Sequence, residues 1–196
     1  MLDVLKNQRT YALIGHGGCG KTSVAEMLLY VAGAVPRLGK IEDGTTALDY
    51  EPEEIKRRGS VQPGFATFLW NKNRHFLIDT PGDLSFGGDL GYILASVDAV
   101  IFVVDAVDGV KPLTRKLWQE VSKFRLPTIF LITKMDRDRA DYEMALNGIR
   151  NQLGVKPFLQ NVPIGKADSF KGVVNIVENK AYAFDASGKK IGRAHV

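Results

Sequence analysis

Gly15-His16-Gly17-Gly18-Cys19-Gly20-Lys21-Thr22 decides how this chain is read. The octapeptide fits G-x-x-x-x-G-K-[ST], a loop that wraps phosphate, and Ser23 continues it into a helix. Tyr11-Ala12-Leu13-Ile14 ahead of it reads as a short buried strand. Ser23 to Ala34 behind it sets Val24, Leu28 and Val31 on one helical face, ended by Gly33 and Pro36. Strand, glycine turn and helix start are the setting the motif requires. Glycines let successive backbone N–H groups converge on one anion, and the helix adds unpaired N–H groups and a positive dipole end. In that setting Lys21 reaches the β- and γ-phosphates, and the Thr22 hydroxyl can ligate Mg²⁺.

Gly15, Gly17 and Gly20 also spell G-x-G-x-x-G, a dinucleotide fingerprint. That reading wants an acidic residue ending the next strand, about 20 residues on. Glu42 and Asp43 stand near that distance but follow Arg37-Leu38-Gly39, which is no strand. Lys21-Thr22 has no part in such a turn. The triphosphate loop is the better reading.

The 196 residues suffice for one good core with an appendage, and 45% apolar and 24% charged residues are ordinary for a globular domain. No apolar stretch approaches a membrane span, so no membrane is expected as partner. Met1 to Thr10 mixes Asp3, Lys6 and Arg9 with single apolar residues, unlike the core of a secretion signal. One cysteine suits a reducing cytoplasm. A net charge of +4 permits contact with RNA without arguing for it.

Along the chain, strands and helices alternate. Residues 37–62 lose periodicity and read as a structureless stretch, functional or mobile. Phe65 to Trp70 and His75 to Ile78 read as a hairpin across the four-residue turn 71–74, Gly87 to Val97 as a glycine-loosened helix, and Ala99 to Val104 as a central strand. Pro112 to Phe124 is expected as a helix, Thr128 to Ile132 as a strand and Arg139 to Leu153 as a helix. Beyond Pro157, Phe158 to Ile164, Gly172 to Val177 and Lys180 to Phe184 read as strands, Asp185 to Lys190 as a turn, with no closing element after it. Such alternation predicts a mostly parallel α/β sheet whose ligands sit at the carboxyl ends of the strands. Three turns fall there: 15–22, 79–83 and 133–136.

Asp79-Thr80-Pro81-Gly82 reads as the second half of a nucleoside-triphosphatase site. Its acid would hold Mg²⁺, and the Gly82 N–H would meet the γ-phosphate. Thr133-Lys134-Met135-Asp136 is similar to the guanine-reading N-K-x-D. The Asp136 carboxylate can accept from N1–H and the 2-amino group of guanine, donors that adenine lacks, while the Lys134 stem covers the base. Together the three turns favour GTP over ATP. Cys19 is expected first as the small residue that the loop requires; its place near a helix N-terminus and Lys21 would also lower its pKa, so that alkylation would block nucleotide binding. His75 and His195 are expected on the surface.

Asp105-Ala106-Val107-Asp108-Gly109-Val110, Trp118, Lys134-Met135-Asp136-Arg137 and Ala140-Asp141-Tyr142 resemble the translational GTPases, elongation factor G most of all. Tyr50-Glu51-Pro52-Glu53 before Arg58-Gly59, Leu69-Trp70, Val162-Pro163-Ile164-Gly165 and Phe170-Lys171-Gly172-Val173-Val174-Asn175 extend the resemblance over nearly the whole chain. It implies a Ras-like P-loop NTPase fold, three-layered α/β, over residues 1–157. It further implies the start of an inserted β-containing subdomain over 158–196, and an N-terminal fragment of a divergent paralogue, monomeric as a fragment. It implies Mg²⁺-dependent hydrolysis of GTP to GDP in the cytoplasm, with the ribosome, its RNA and its protein, as partner.

Carried over residue by residue, the nucleotide contacts are Gly15, His16, Gly17, Gly18, Cys19, Gly20, Lys21, Thr22 and Ser23, then Asp79, Thr80, Pro81, Gly82 and Asp83, then Thr133, Lys134, Met135 and Asp136. Thr22, Ser60 and Asp79 are the implied metal ligands; Lys21 and Asp83 are the implied catalytic residues, and His16 is expected as a structural hydrogen-bonder. Thr133 stands for the family's Asn. Gly18 stands for an Asp, removing a monovalent-cation ligand. Arg58-Gly59-Ser60-Val61 stands for R-G-I-T, so Ser60 supplies the hydroxyl only if the register shifts by one. Asp83 stands for the His that positions the attacking water. A carboxylate can orient water, but its charge faces a developing anion. Two readings follow: a GTPase working with the ribosome, or a ribosome-docking, GTP-dependent switch that scarcely hydrolyses.

Overall fold

The structure, a computed structural model, describes residues 5–185 and 190–195. Its elements in order are β1 (Gln8–Ile14), α1 (Lys21–Val31), α2 (Pro52–Arg57), β2 (Gly64–Trp70), β3 (Asn73–Asp79), a 3-10 turn (Leu84–Asp89), α3 (Leu90–Ser96), β4 (Ala99–Asp105), α4 (Pro112–Lys123), β5 (Thr128–Thr133) and α5 (Tyr142–Gln152). Then follow β6 (Asn161–Ile164), a 3-10 turn (Ala167–Ser169), β7 (Gly172–Asn175), β8 (Lys180–Phe184) and β9 (Lys190–His195). The chain forms two compact units: Met1–Val103 with Lys111–Leu131, and Val104–Val110 with Ile132–Val196.

A five-stranded sheet has the order β2-β3-β1-β4-β5. β1 pairs in parallel with β3 and with β4, while β2 pairs antiparallel with β3. Alternation along each strand fills both faces. Leu13, Leu77 and Val103 pack with Ala25 and Leu29 of α1. On the opposite face of β4, Phe102 meets Trp118 of α4 edge-on at 5.5 Å, and Phe130 of β5 at 5.5 Å. Helices on both faces of a mostly parallel sheet make the α/β fold of P-loop nucleotide-binding domains, as the sequence implied. A second, antiparallel sheet in the other unit has the order β6-β7-β8-β9.

Several boundaries differ from expectation. β3 begins at Asn73 because the hairpin turn is only Asn71-Lys72, with φ of 47° and 64°, the two-residue geometry that matches strand twist. β1 begins at Gln8, paired with Arg74 of that longer β3. The helix expected over 139–153 begins at Tyr142, where Asp141 caps it by accepting from Met144 N at 2.9 Å. The helix expected over 87–97 splits into a 3-10 turn and α3. Exposed Phe158 lies outside any ladder, so that strand begins at Asn161. β9 pairs with β8, an element the sequence reading missed; positions 186–189 of the expected turn lie outside the described residues, as does the His195 side chain. His75 is no free surface residue: it stacks on Phe68 at 5.0 Å and meets Tyr11 edge-on.

Residues 37–62 are not structureless. Pro52 at the first turn, with Glu51 and Glu54 in a reciprocal capping box, starts the six-residue α2. Two buried glutamates hold the surrounding backbone. Glu26 of α1 accepts from Ala47 N at 2.7 Å, and Glu54 accepts from Val61 N at 3.0 Å and Gln62 N at 3.2 Å. Both are 1% exposed, so the paired N–H groups replace the water their carboxylates have lost.

Candidate functional site

Two of the three turns meet in the first unit. Parallel pairing sets Leu13 opposite Asp79, so the turns after β1 and β3 emerge side by side. Thr80 fastens one to the other through its hydroxyl, 2.7 Å from Leu13 O. Gly20 takes φ 97° as the helix begins, and no side chain caps the first turn of α1. Those N–H groups are the usual seat of an anion. Lys21, 5% exposed, folds back so that its Nζ donates to His16 O at 3.1 Å. Gly82 presses on this loop: a Cβ there would lie 2.5 Å from Gly17 N and 2.6 Å from Lys21 Nζ. His16 is buried, with Nδ1 3.0 Å from the Thr114 hydroxyl. Cys19 is 0% exposed and packs the loop from within, in keeping with the small-residue reading, and this burial stands against alkylation.

Beneath Lys21 lies a group of oxygens. Thr22 Oγ1 donates to Asp79 Oδ2 at 2.6 Å, and Ser60 Oγ stands 3.4 Å from Thr22 Oγ1 while donating to Asp49 Oδ1 at 2.7 Å. Asp79 and Asp49 are 1% and 5% exposed, and each has a buried second oxygen without a hydrogen-bond partner. Burial pushes the Asp79 carboxyl up to about 7, against the opposing pull of Lys21 and Thr22. Burial also raises Asp49, against the hydrogen bond from Ser60. Two oxygens open to a cation, two hydroxyls and no sulfur suit a hard ion of the Mg²⁺ kind. The left-handed residue closing α2 is Arg58, φ 54°, with Gly59 following, and this spacing carries Ser60 to Thr22.

Asp83 is exposed and accepts from Ser85 N at 2.9 Å, capping the 3-10 turn. That bond, with one from the Ser85 hydroxyl and the nearby charge of Arg57, holds its carboxyl below the usual range.

The third turn belongs to the second unit. Thr133 O accepts from Ala106 N at 2.9 Å. Lys134 takes φ 58°, and its Nζ pairs with the fully buried Asp105 at 3.1 Å. Asp105 also accepts from the N–H groups of Val107 and Asp108. Met135 is buried against Ala106 and Ala140, which anchors the turn and turns Asp136 outward, its side chain 72% exposed.

Asp49 was not foreseen, because nothing in an aperiodic charged stretch marks one acid above its neighbours. Glu54 carried a signal: an acid, proline and a glutamate at the third helical position announce a helix start. Asp105 carried one too, as an acid closing an apolar strand just as Asp79 does.

A glycine-rich loop on a helix N-terminus, braced by an acid-Thr-Pro-Gly turn on the neighbouring parallel strand, defines a P-loop nucleotide-binding domain. Residues 6–190 match the family described as the elongation factor Tu GTP binding domain, and the chain belongs to that family. It is 35% identical over 184 residues to elongation factor G 1 of Bdellovibrio bacteriovorus, a match covering 94% of this chain and 26% of that protein. A crystal structure of a protein from Thermus thermophilus superposes with a TM-score of 0.86 at 36% identity, over 96% of this chain and 28% of the other. The chain thus spans about a quarter of the length of these relatives. Among the described residues, no helix is long and apolar enough to cross a membrane.

Proposed function

We propose that this domain binds GTP with Mg²⁺ and hydrolyses it to GDP in concert with the ribosome, in the manner of elongation factor G. The reading rests on the oxygen group under Lys21, where buried Asp79 and Asp49 each keep an oxygen to spare beside the Thr22 and Ser60 hydroxyls. Gly15 to Ser23, with Thr80, Pro81 and Gly82, would enclose the phosphates. Lys21 would leave His16 O to neutralise charge growing on the transferred phosphoryl group. Thr22, Ser60 and Asp79, joined by Asp49, would hold Mg²⁺, which when bound supplies positive charge to the phosphate oxygens. Thr133, Lys134, Met135 and Asp136 would read guanine. Asp83 would orient water. The antiparallel sheet from Asn161 onward would be the start of the inserted subdomain, and the setting would be cytoplasmic, with the chain monomeric.

GTP turnover measured with and without ribosomes tests this. The expected basal rate is on the order of 10⁻⁴ s⁻¹, rising when ribosomes are added. Binding of GTP with no rise would favour the docking switch, and Asp83→His would then be expected to restore stimulation. No binding of GTP at all would end both readings.

A further inference from the structure

Glu54 does more than start a helix. Its carboxylate is 1% exposed and divided among three backbone donors: Oε2 takes Glu51 N at 3.3 Å, while Oε1 takes Val61 N and Gln62 N at 3.0 and 3.2 Å. One side of the carboxylate thus holds the residue before α2, and the other holds the two residues directly after Ser60. Between them the chain leaves the helix through Arg58 at φ 54°, with Gly59 N donating to Glu54 O at 3.1 Å. The left-handed region is unfavourable for arginine, whose Cβ crowds the following carbonyl, so the turn needs fastening on both sides. Lys56, Arg57 and Arg58 are all exposed, so burial of these side chains does not supply that fastening. The Ser60 hydroxyl, held at this point, lies between Asp49 at 2.7 Å and Thr22 at 3.4 Å.

From this geometry we infer that Glu54 is a positioning residue for the metal pocket: it folds residues 51–62 into a closed unit that delivers the Ser60 hydroxyl to Thr22. The inference rests on the Mg²⁺ reading of that pocket. Glu54 itself is turned to backbone N–H groups, so it acts through Ser60 and not as a ligand. Its removal leaves three N–H groups to water and frees Ser60 to swing with the loop, while the phosphate loop, built on β1 and α1, keeps its shape. Nucleotide binding without metal is therefore preserved while its enhancement by Mg²⁺ suffers.

The test is a double-mutant cycle of Glu54→Ala and Ser60→Ala on this chain. It reads the Mg²⁺ concentration that half-maximally tightens binding of a non-hydrolysable GTP analogue, alongside analogue affinity in chelator. Glu54→Ala is expected to raise the Mg²⁺ requirement about 10-fold and to change metal-free affinity less than about 2-fold. In the Ser60→Ala background it is expected to add nothing, because coupled residues are non-additive. An equal shift in both backgrounds would overturn the inference and leave the metal reading standing. No shift from Ser60→Ala alone would overturn the metal role of Ser60, and the inference with it. Should Glu54→Ala not fold, Glu54→Gln, which keeps one acceptor oxygen, enters the same cycle with a smaller shift expected. Equal metal-free and Mg²⁺-dependent losses would mark Glu54 as structural only.

Discussion

The hydroxyl of Thr22 donates to Asp79 Oδ2 at 2.6 Å, joining the first turn of α1 to the end of β3. The bond occupies one oxygen of a buried acid and leaves the other without a partner. A buried carboxylate in that condition is costly, and a cation bound there relieves it.

Thr22→Ala removes the hydroxyl from this pocket and leaves Asp79 with two unpartnered oxygens. The expected outcome is an increase of at least about 10-fold in the Mg²⁺ needed for tight GTP-analogue binding. Titration of the variant with Mg²⁺ at fixed analogue concentration checks it.

The raised Asp79 carboxyl, near 7 when folded against 3.8 ordinarily, gives a pH dependence with a definite sign. The folded state holds its proton more tightly than the unfolded one, so this group favours folding below pH 4. That contribution is lost as pH rises through about 7. In chelator and without nucleotide, Asp79→Asn is expected to gain stability relative to the parent chain across that window, because the amide never has to ionise. Thermal unfolding of both proteins at pH 4, 5.5 and 7.5 checks the trend; parallel curves would contradict it.

Gly82→Ala places a Cβ 2.5 Å from Gly17 and 2.6 Å from Lys21 Nζ. Backbone cannot yield there without opening the phosphate loop. A strain of about 1–3 kcal/mol converts to a loss of roughly 5–150-fold in GDP affinity, measurable by fluorescent-nucleotide titration, with little change in the far-UV spectrum.

The core gives an independent check. Phe102 is wholly buried against Trp118 and Phe130. Phe102→Ala is expected to cost about 3–5 kcal/mol of stability, read from denaturant unfolding.

The sheet was legible because its strands are apolar runs closed by chemically distinctive turns. Ala99 to Val104 suited a central strand, and Asp79-Thr80-Pro81-Gly82 read as a turn at a strand end. Residues 37–62 were opaque for the opposite reason. Their fold rests on polar contacts, Glu54 to Val61 and Gln62, Glu26 to Ala47, Asp49 to Ser60, and such contacts leave no hydrophobic period in the sequence. β9 was missed because Lys190 to His195 alternates weakly, and its place comes from pairing with β8.

Guanine recognition is tested most directly by calorimetric titration of this chain, in Mg²⁺, with GDP and with ADP. On the proposed reading GDP is expected to bind, and ADP to bind weaker by on the order of 10⁴-fold, since the Asp136 carboxylate would find its two donors only on guanine. Comparable affinity for the two nucleotides would contradict it.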